Sequence, residues 1–269
     1  YLSDFIRTTT EAGLSFLGDM RSFIRNFRIL PPEVQKAAAT GVISYLEVEQ
    51  ICDYLQNRSF RRALLCREGF VPDFAKIRPT LPELFVSTDF HKGPTEQDKL
   101  FQPIETFIGP KGQRFGLPPG VHCEVMLKIT EEAPQQIQIA KLLEGMAAQS
   151  TTTTESPREQ ATSFIIEGIS QGFMNVSLSP IEGLARALTN APLVHPFVKY
   201  QAKNADLISN PRLQMVPLEQ AARTILQICD GTRTRSEIKG KLSQSGAKYS
   251  TDAENVFEYL RRNGLLMEG

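Results

Sequence analysis

Start and stop signals recur so closely between Pro217 and Met267 that every element they bound must be short. Pro217 precedes a helical face of Leu218, Ala222, Ile225, Leu226 and Cys229, which Asp230-Gly231 stops. Thr234-x-x-Glu237 opens a second helix carrying Ile238 and Leu242. Thr251-x-x-Glu254 opens a third with Ala253, Val256, Phe257 and Leu260, and Asn263-Gly264 ends it. In such a box the hydroxyl and the carboxylate each take up an N–H that the first helical turn leaves unpaired, so the spacing marks a helix start. Leu265-Leu266-Met267 then reads as a terminal strand. Three short helices with a strand behind them predict a winged-helix outline over about 212–269.

Upstream, the same signals predict a mixed arrangement. Residues 3–12 read as a helix stopped by Gly13, and Leu14-Ser15-Phe16-Leu17 as a short strand. Pro31-Pro32 open a helix near 33–40, and Ser44-x-x-Glu47 caps another with Val48, Ile51, Cys52 and Leu55 on one face. From Glu83 to Phe115 short apolar runs alternate with turn residues, and Phe107 to Phe115 reads as a hairpin or turn between two strands. Pro118-Pro119 lead into a helix through Val121, Val125 and Ile129 that Pro134 ends, and Ile139, Leu142, Leu143 and Met146 mark the next. The Ser/Thr tract before Pro157 has almost nothing to bury. It predicts a linker or loop over 147–158, between an α+β domain over 1–146 and a C-terminal domain over 159–269. The expected class is therefore α+β: helices and short strands first, a winged-helix-like domain last. The helical stripe Ala161, Phe164, Ile165, Gly168, Ile169, Gly172 has the small positions of close helix packing.

Composition narrows the function classes. At 269 residues the chain is long enough for two domains. Thirty basic and thirty acidic residues balance, so no global field draws the chain to nucleic acid or anionic membrane. No run approaches the 18 apolar residues of a membrane span. Cys52, Cys66, Cys123 and Cys229 stand far apart, outside any CxxC or CxxH pattern, and read as buried thiols of a cytoplasmic protein. The chain starts at Tyr1 with no basic n-region or cleavage site, and reads as a piece of a longer polypeptide.

No catalytic constellation is readable. A cofactor such as S-adenosylmethionine or a dinucleotide needs a glycine-rich turn after a strand, and no G-x-G-x-x-G occurs. Gly109 and Gly112 are not followed by GK[ST], and neither a G-x-S-x-G elbow nor HExxH is present. His91, His122 and His195 each stand alone, which favours structural or surface roles over metal binding or catalysis. Asp89-Phe90-His91 could orient an imidazole, yet no nucleophile accompanies it.

The arginine-rich run from Asn57 to Arg67 is the candidate recognition segment. Arg58, Arg61, Arg62 and Arg67 flank Ala63-Leu64-Leu65-Cys66, an apolar run of four that reads as a short buried strand. Arginine grips carboxylates and phosphates in pairs of hydrogen bonds. The expectation is that Arg58, Arg61 and Arg62 contact acidic side chains, within the fold or on a partner domain. In the C-terminal module Arg235, Lys239 and Lys241 lie on the would-be recognition helix, but Glu219, Glu237 and Glu254 dilute the positive face. A scaffold or protein-contact role is therefore favoured over a winged-helix DNA-binding regulator.

Asp4-Phe5-Ile6-Arg7 with Ala12 to Gly18, and the N-R-x-F-R segment Asn57 to Arg61 running into its strand, resemble the methyltransferase regulatory domain. That domain follows the catalytic domain in a group of bacterial S-adenosylmethionine-dependent, protein-lysine-type methyltransferases. Pro217-Leu218-Glu219 and Asp230 to Arg233 are similar to the winged-helix module that closes such proteins. The resemblance covers about 2–115 and 205–269. It implies a non-catalytic region that shapes substrate binding or dimerisation, next to a class I catalytic domain in the same polypeptide. Under that reading S-adenosylmethionine belongs to the catalytic domain, with no cofactor held by this chain. Protein substrates and a second copy of the chain are the implied partners, and the alternative to recognition is a dimerisation scaffold.

Overall fold

The computed structural model describes residues 1–19, 30–70, 76–97, 103–110, 112–144, 146, 156–244 and 253–268. The chain divides into two compact units: residues 1–81 with 162–174, and residues 82–161 with 175–269.

In the first unit, helix α1 (Leu2–Glu11) ends where Gly13 takes φ 72°, and strand β1 (Leu14–Asp19) follows at once. Helix α2 (Pro32–Ala39) starts behind Pro31, with proline in its first turn, where no N–H is missed. Helix α3 (Tyr45–Leu55) carries the complete capping box: the Glu47 N–H donates to Ser44 Oγ at 3.3 Å, and the Ser44 N–H to Glu47 Oε2 at 2.7 Å. Val48 and Cys52 of α3 are buried with Leu30, backed by Val34, Ala38, Ile43 and Ile51. Strand β2 (Ala63–Arg67) pairs antiparallel with β1, Phe16 opposite Leu65 and Asp19 opposite Ala63, with a bulge between Phe16 and Gly18.

The predicted strand over 63–66 is present, but it is not buried. Leu64 is 41% and Leu65 38% exposed, because among the described residues β2 belongs to a two-stranded ribbon with no further strand beside it. A four-residue helix, α4 (Ile77–Thr80), closes this part of the unit.

The second unit opens on strand β3 (Phe85–Ser87), followed by β4 (His91–Gln97), β5 (Pro103–Ile108) and β6 (Arg114–Leu117). β4, β5 and β6 form an antiparallel sheet; the predicted 107–115 hairpin joins β5 to β6, with Ile108 opposite Arg114 and Gly112 at φ 75°. Helix α5 (Val121–Glu132) buries Cys123, Val125, Met126 and Ile129. Strand β7 (Ile137–Gln138) runs straight into helix α6 (Ile139–Glu144).

Most of the Ser/Thr tract at 147–158 lies outside the described residues. Its described end caps helix α7 (Pro157–Gln171), with Ser156 and Glu159 exchanging backbone and side-chain bonds. The boundary between the two units falls within α7. In the first unit, Phe164 of α7 packs on Phe173 with ring centroids 5.8 Å apart, and a Cβ at Gly168 would come within 2.6 Å of Met174 Sδ. That position of the small-residue stripe is therefore a close-packing site.

In the second unit, strand β8 (Asn175–Ser177) pairs with β3, on the edge opposite β7. The C-terminal module follows. Helix α8 (Pro196–Asn204) leads into a hairpin of β9 (Leu207–Ser209) and β10 (Met215–Pro217), then helices α9 (Gln220–Ile228), α10 (Arg235–Gln244) and α11 (Ala253–Arg262). The three helices sit where the start and stop signals put them. The Thr234–Glu237 box forms, with the Thr234 N–H donating to Glu237 Oε2 at 2.7 Å, whereas Thr251 lies outside the described residues. The expected terminal strand is realised as bridges: Met267 pairs with Leu184 and Leu193, and Leu265 and Leu266 fill the core behind it. Helices with small antiparallel sheets and a winged-helix end make the chain α+β.

Candidate functional site

The candidate arginines divide into two buried and two exposed. Helix α3 presents Glu49 and Asp53 one turn apart, and β1 ends on Asp19. Behind α3, Asn57 takes the left-handed conformation at φ 47°, and the following segment carries Arg58 and Arg61 back toward these carboxylates. Arg61 forms a two-pronged bond to Asp53, Nε to Oδ2 at 2.9 Å and Nη2 to Oδ1 at 2.7 Å. Its Nη1 donates to Glu49 Oε2 at 2.8 Å and its Nη2 to the Glu49 carbonyl at 2.9 Å. Arg58 is more deeply buried and less well bonded. Its Nη1 lies 3.5 to 3.7 Å from Asp53, Asp19 and Glu49, at ion-pair rather than hydrogen-bond distance, while its Nη2 donates to Gln56 Oε1 at 2.9 Å.

Burial decides what this cluster is for. The side chains of Asp19, Glu49, Asp53, Arg58 and Arg61 are 3%, 0%, 13%, 6% and 14% exposed. Three carboxylates face two guanidiniums, and among the described residues Glu49 Oε1, Arg58 Nε and Arg58 Nη1 have no hydrogen-bond partner. Burial lowers the proton affinity of Arg61, but its bonds to Asp53 and Glu49 outweigh that and raise its pKa. Beside the cluster, Tyr45 is pushed up to about 12, first by burial and then by the Glu49 charge, and Cys52 to about 11 for the same two reasons. Neither ionises near neutral pH. The cluster ties α3 to the end of β1 through the loop that leads into β2, a structural task the sequence run does not announce.

Arg62 and Arg67 are exposed and, among the described residues, form no ion pair. The expectation of acidic partners thus holds for Arg58 and Arg61 within the fold. In the same segment Phe60 is 84% exposed, and Leu64 and Leu65 are half-open on the two faces of β2. A mixed cationic and apolar edge of this kind is chemically fit to receive a protein surface.

Elsewhere the expected functional groups have local partners. His195 caps α8, its Nδ1 accepting from the Phe197 N–H at 3.1 Å. Arg235 and Lys239 of α10 both pair with Glu254 of α11, Arg235 at 2.7 Å, so one carboxylate engages two of the three cations of the would-be recognition helix and offsets one of their charges. Among the described residues no group of three or more His, Cys, Asp or Glu is placed to hold a metal, and no helix is long and apolar enough to cross a membrane.

For S-adenosylmethionine the described glycines do not form a cradle. Gly13, Gly172 and Gly264 follow helix ends. Gly120 stands between a strand and a helix, but behind two prolines, beside an antiparallel sheet and with no second glycine in its turn.

Comparison with known proteins locates these features. Residues 1–67 match the family model of the predicted methyltransferase regulatory domain, and residues 190–255 that of the PKMT C-terminal winged helix domain. Two solved structures of PKMT2 from Rickettsia typhi are similar in fold along the whole chain. The one in complex with AdoHcy has a TM-score of 0.76 and the other 0.75, each at 19% identity, and each covers 100% of this chain and 58% of its own. This chain therefore spans little more than half the length of those proteins. No curated protein matches it.

Proposed function

From a chain that carries a predicted methyltransferase regulatory domain at its start and a PKMT-type winged helix near its end, we propose a non-catalytic, substrate-recognition region of an S-adenosylmethionine-dependent methyltransferase. It acts on protein substrates, beside a class I catalytic domain in the same cytoplasmic polypeptide. In this reading residues 1–146 form the regulatory α+β domain, 147–158 a linker, and 159–269 the domain that ends in the winged helix. The observation that carries it is the pairing of the two family matches in one chain. The AdoHcy complex of the similar Rickettsia typhi protein supports the choice of cofactor for the polypeptide as a whole.

The exposed segment from Phe60 to Arg67, with its cations Arg62 and Arg67, is the docking surface of this proposal. Arg58 and Arg61 hold that edge in place from inside. The test is methyl transfer to a protein substrate by the polypeptide that joins this chain to its catalytic domain. Replacing Arg62 and Arg67 by Ala lowers kcat/KM for the protein substrate and leaves S-adenosylmethionine binding intact. An unchanged kcat/KM would remove the edge from recognition. The DNA-binding alternative is disfavoured by the Arg235 and Lys239 pairs with Glu254.

A further inference from the structure

The second unit contains a cleft of about 570 Å³ between the β3–β4 loop, the end of α5, the β9–β10 hairpin and α11. Its walls include Phe90, Leu127 and the 59%-exposed Met215. Its charged lining is four cations, Lys92, Arg212, Arg261 and Arg262, against three carboxylates, Asp89, Glu131 and Glu258.

Two of the cations are committed elsewhere. Lys92 pairs with Glu105 at 3.0 Å. Arg261 is used up by both oxygens of Glu258 and by the carbonyls of Ala133 and Arg186.

Arg212 is not. Its side chain is only 6% exposed, yet among the described residues Nε and Nη1 have no hydrogen-bond partner. Its one described bond runs from Nη2 to the Arg262 carbonyl at 3.3 Å. Asp89 lies 3.3 Å from Nη1 as an ion pair, but that carboxylate is already bonded by Gln214 Nε2 at 2.9 and 2.8 Å and by Asn175 Nδ2 at 3.2 Å. A buried guanidinium with open donors is costly unless an acceptor reaches it. Burial, only partly offset by Asp89, lowers its proton affinity.

Arg262 spends Nε on Glu258 Oε1 at 2.6 Å and remains 43% exposed. Burial first, then the Arg262 charge, hold His91 below its usual range, so its ring is neutral at neutral pH and still has an N–H to donate.

We propose that this cleft binds an oxyanion, a carboxylate or a phosphate, between Arg212 and Arg262 with His91 beside it, and rests the ligand's organic body on Phe90, Leu127 and Met215. The anion lies against the buried Arg212 charge, whose ion-pair partner among the described residues is Asp89. This site is separate from the exposed arginine edge of the first unit and does not depend on the function proposed above.

The experiment is NMR of the His91 ring in the 269-residue chain, titrated with inorganic phosphate and, separately, with benzoate at constant ionic strength set by chloride. The expected result is a saturable His91 shift with at least one of them. Arg262→Gln weakens that binding about tenfold, the loss of one charge-assisted bond. Arg212→Lys, which keeps the charge facing Asp89 but not the fork, weakens it as well. Saturation by phosphate alone assigns a phosphate ligand; saturation by benzoate alone, or by both, assigns a carboxylate on an apolar body. No saturable shift with either anion overturns the proposal. So does a shift that persists at equal affinity in Arg262→Gln, since the anion would then sit elsewhere.

Discussion

The arginine run of the first unit and the C-terminal module of the second solve the same problem with different forces. In the module, helices α8 to α11, the β9–β10 strands and the segments that connect them bury eighteen described residues in one cluster, Ile225, Leu226, Phe257 and Leu260 among them, and place their ion pairs outside. Around α3, by contrast, the described residues buried in the apolar cluster are Leu30, Val48 and Cys52, and the neighbouring space holds five charged side chains. Apolar burial tolerates imprecise geometry, whereas a buried ion cluster fails when one partner is lost, because the remaining charges have no water to return to. The module is therefore a robust fold element. The α3 cluster is a specific latch that keeps Arg62, Phe60 and the β2 edge facing outward.

The contrast can be broken most strongly at its centres. Phe257→Ala removes a fully buried ring and costs about 3–5 kcal/mol, read by denaturant unfolding followed by circular dichroism. Arg61→Met leaves Asp53 and Glu49 buried without their main partner, and costs about 3–4 kcal/mol. If Arg61→Met proved nearly neutral, the cluster would be ornament rather than latch.

Smaller effects sharpen the picture. Ser44→Ala opens the capping box of α3 and costs about 1 kcal/mol, measured the same way.

Glu258 supplies the pH arm. Its carboxyl is held down to about 2, chiefly by the Arg261 bond, against an ordinary value of 4.5. A depressed carboxyl stabilises the fold above its unfolded value, and that contribution is lost as pH falls toward its folded value. The stability gap between the natural chain and Glu258→Gln is thus present above pH 4.5 and closes between 4.5 and about 2. The site is partly solvated, so the gap is at most about 1 kcal/mol. The smallest effect belongs to Arg62→Ala and Arg67→Ala, which change stability by less than about 0.5 kcal/mol because both side chains are exposed.

What the sequence disclosed follows the range of the interactions. Ser44–Glu47 and Thr234–Glu237 were legible because each box closes over three residues, and the helices of the module because their caps and apolar faces are local. The burial of β2 was misread, since an apolar run of four says nothing about how many strands lie beside it. The arginine latch was legible only in part. Asp53 lies 8 residues and Glu49 12 residues from Arg61, within reach of a helix-based guess, but Asp19 comes from a different strand. The open donors of Arg212 were out of reach, because they depend on where the fold brings Asp89 and the Arg262 carbonyl, 123 and 50 residues away in the chain. Glu254 shows the same limit: it was read as a helix cap, and it serves as the acceptor for Arg235 and Lys239.

The central claim is that this chain recognises and docks while the chemistry resides in a domain outside it. Isothermal calorimetry of the 269-residue chain with S-adenosylmethionine tests it most directly. The account predicts no stoichiometric binding, since S-adenosylmethionine is assigned to the catalytic domain outside this chain. One-to-one binding at micromolar or tighter affinity would contradict it.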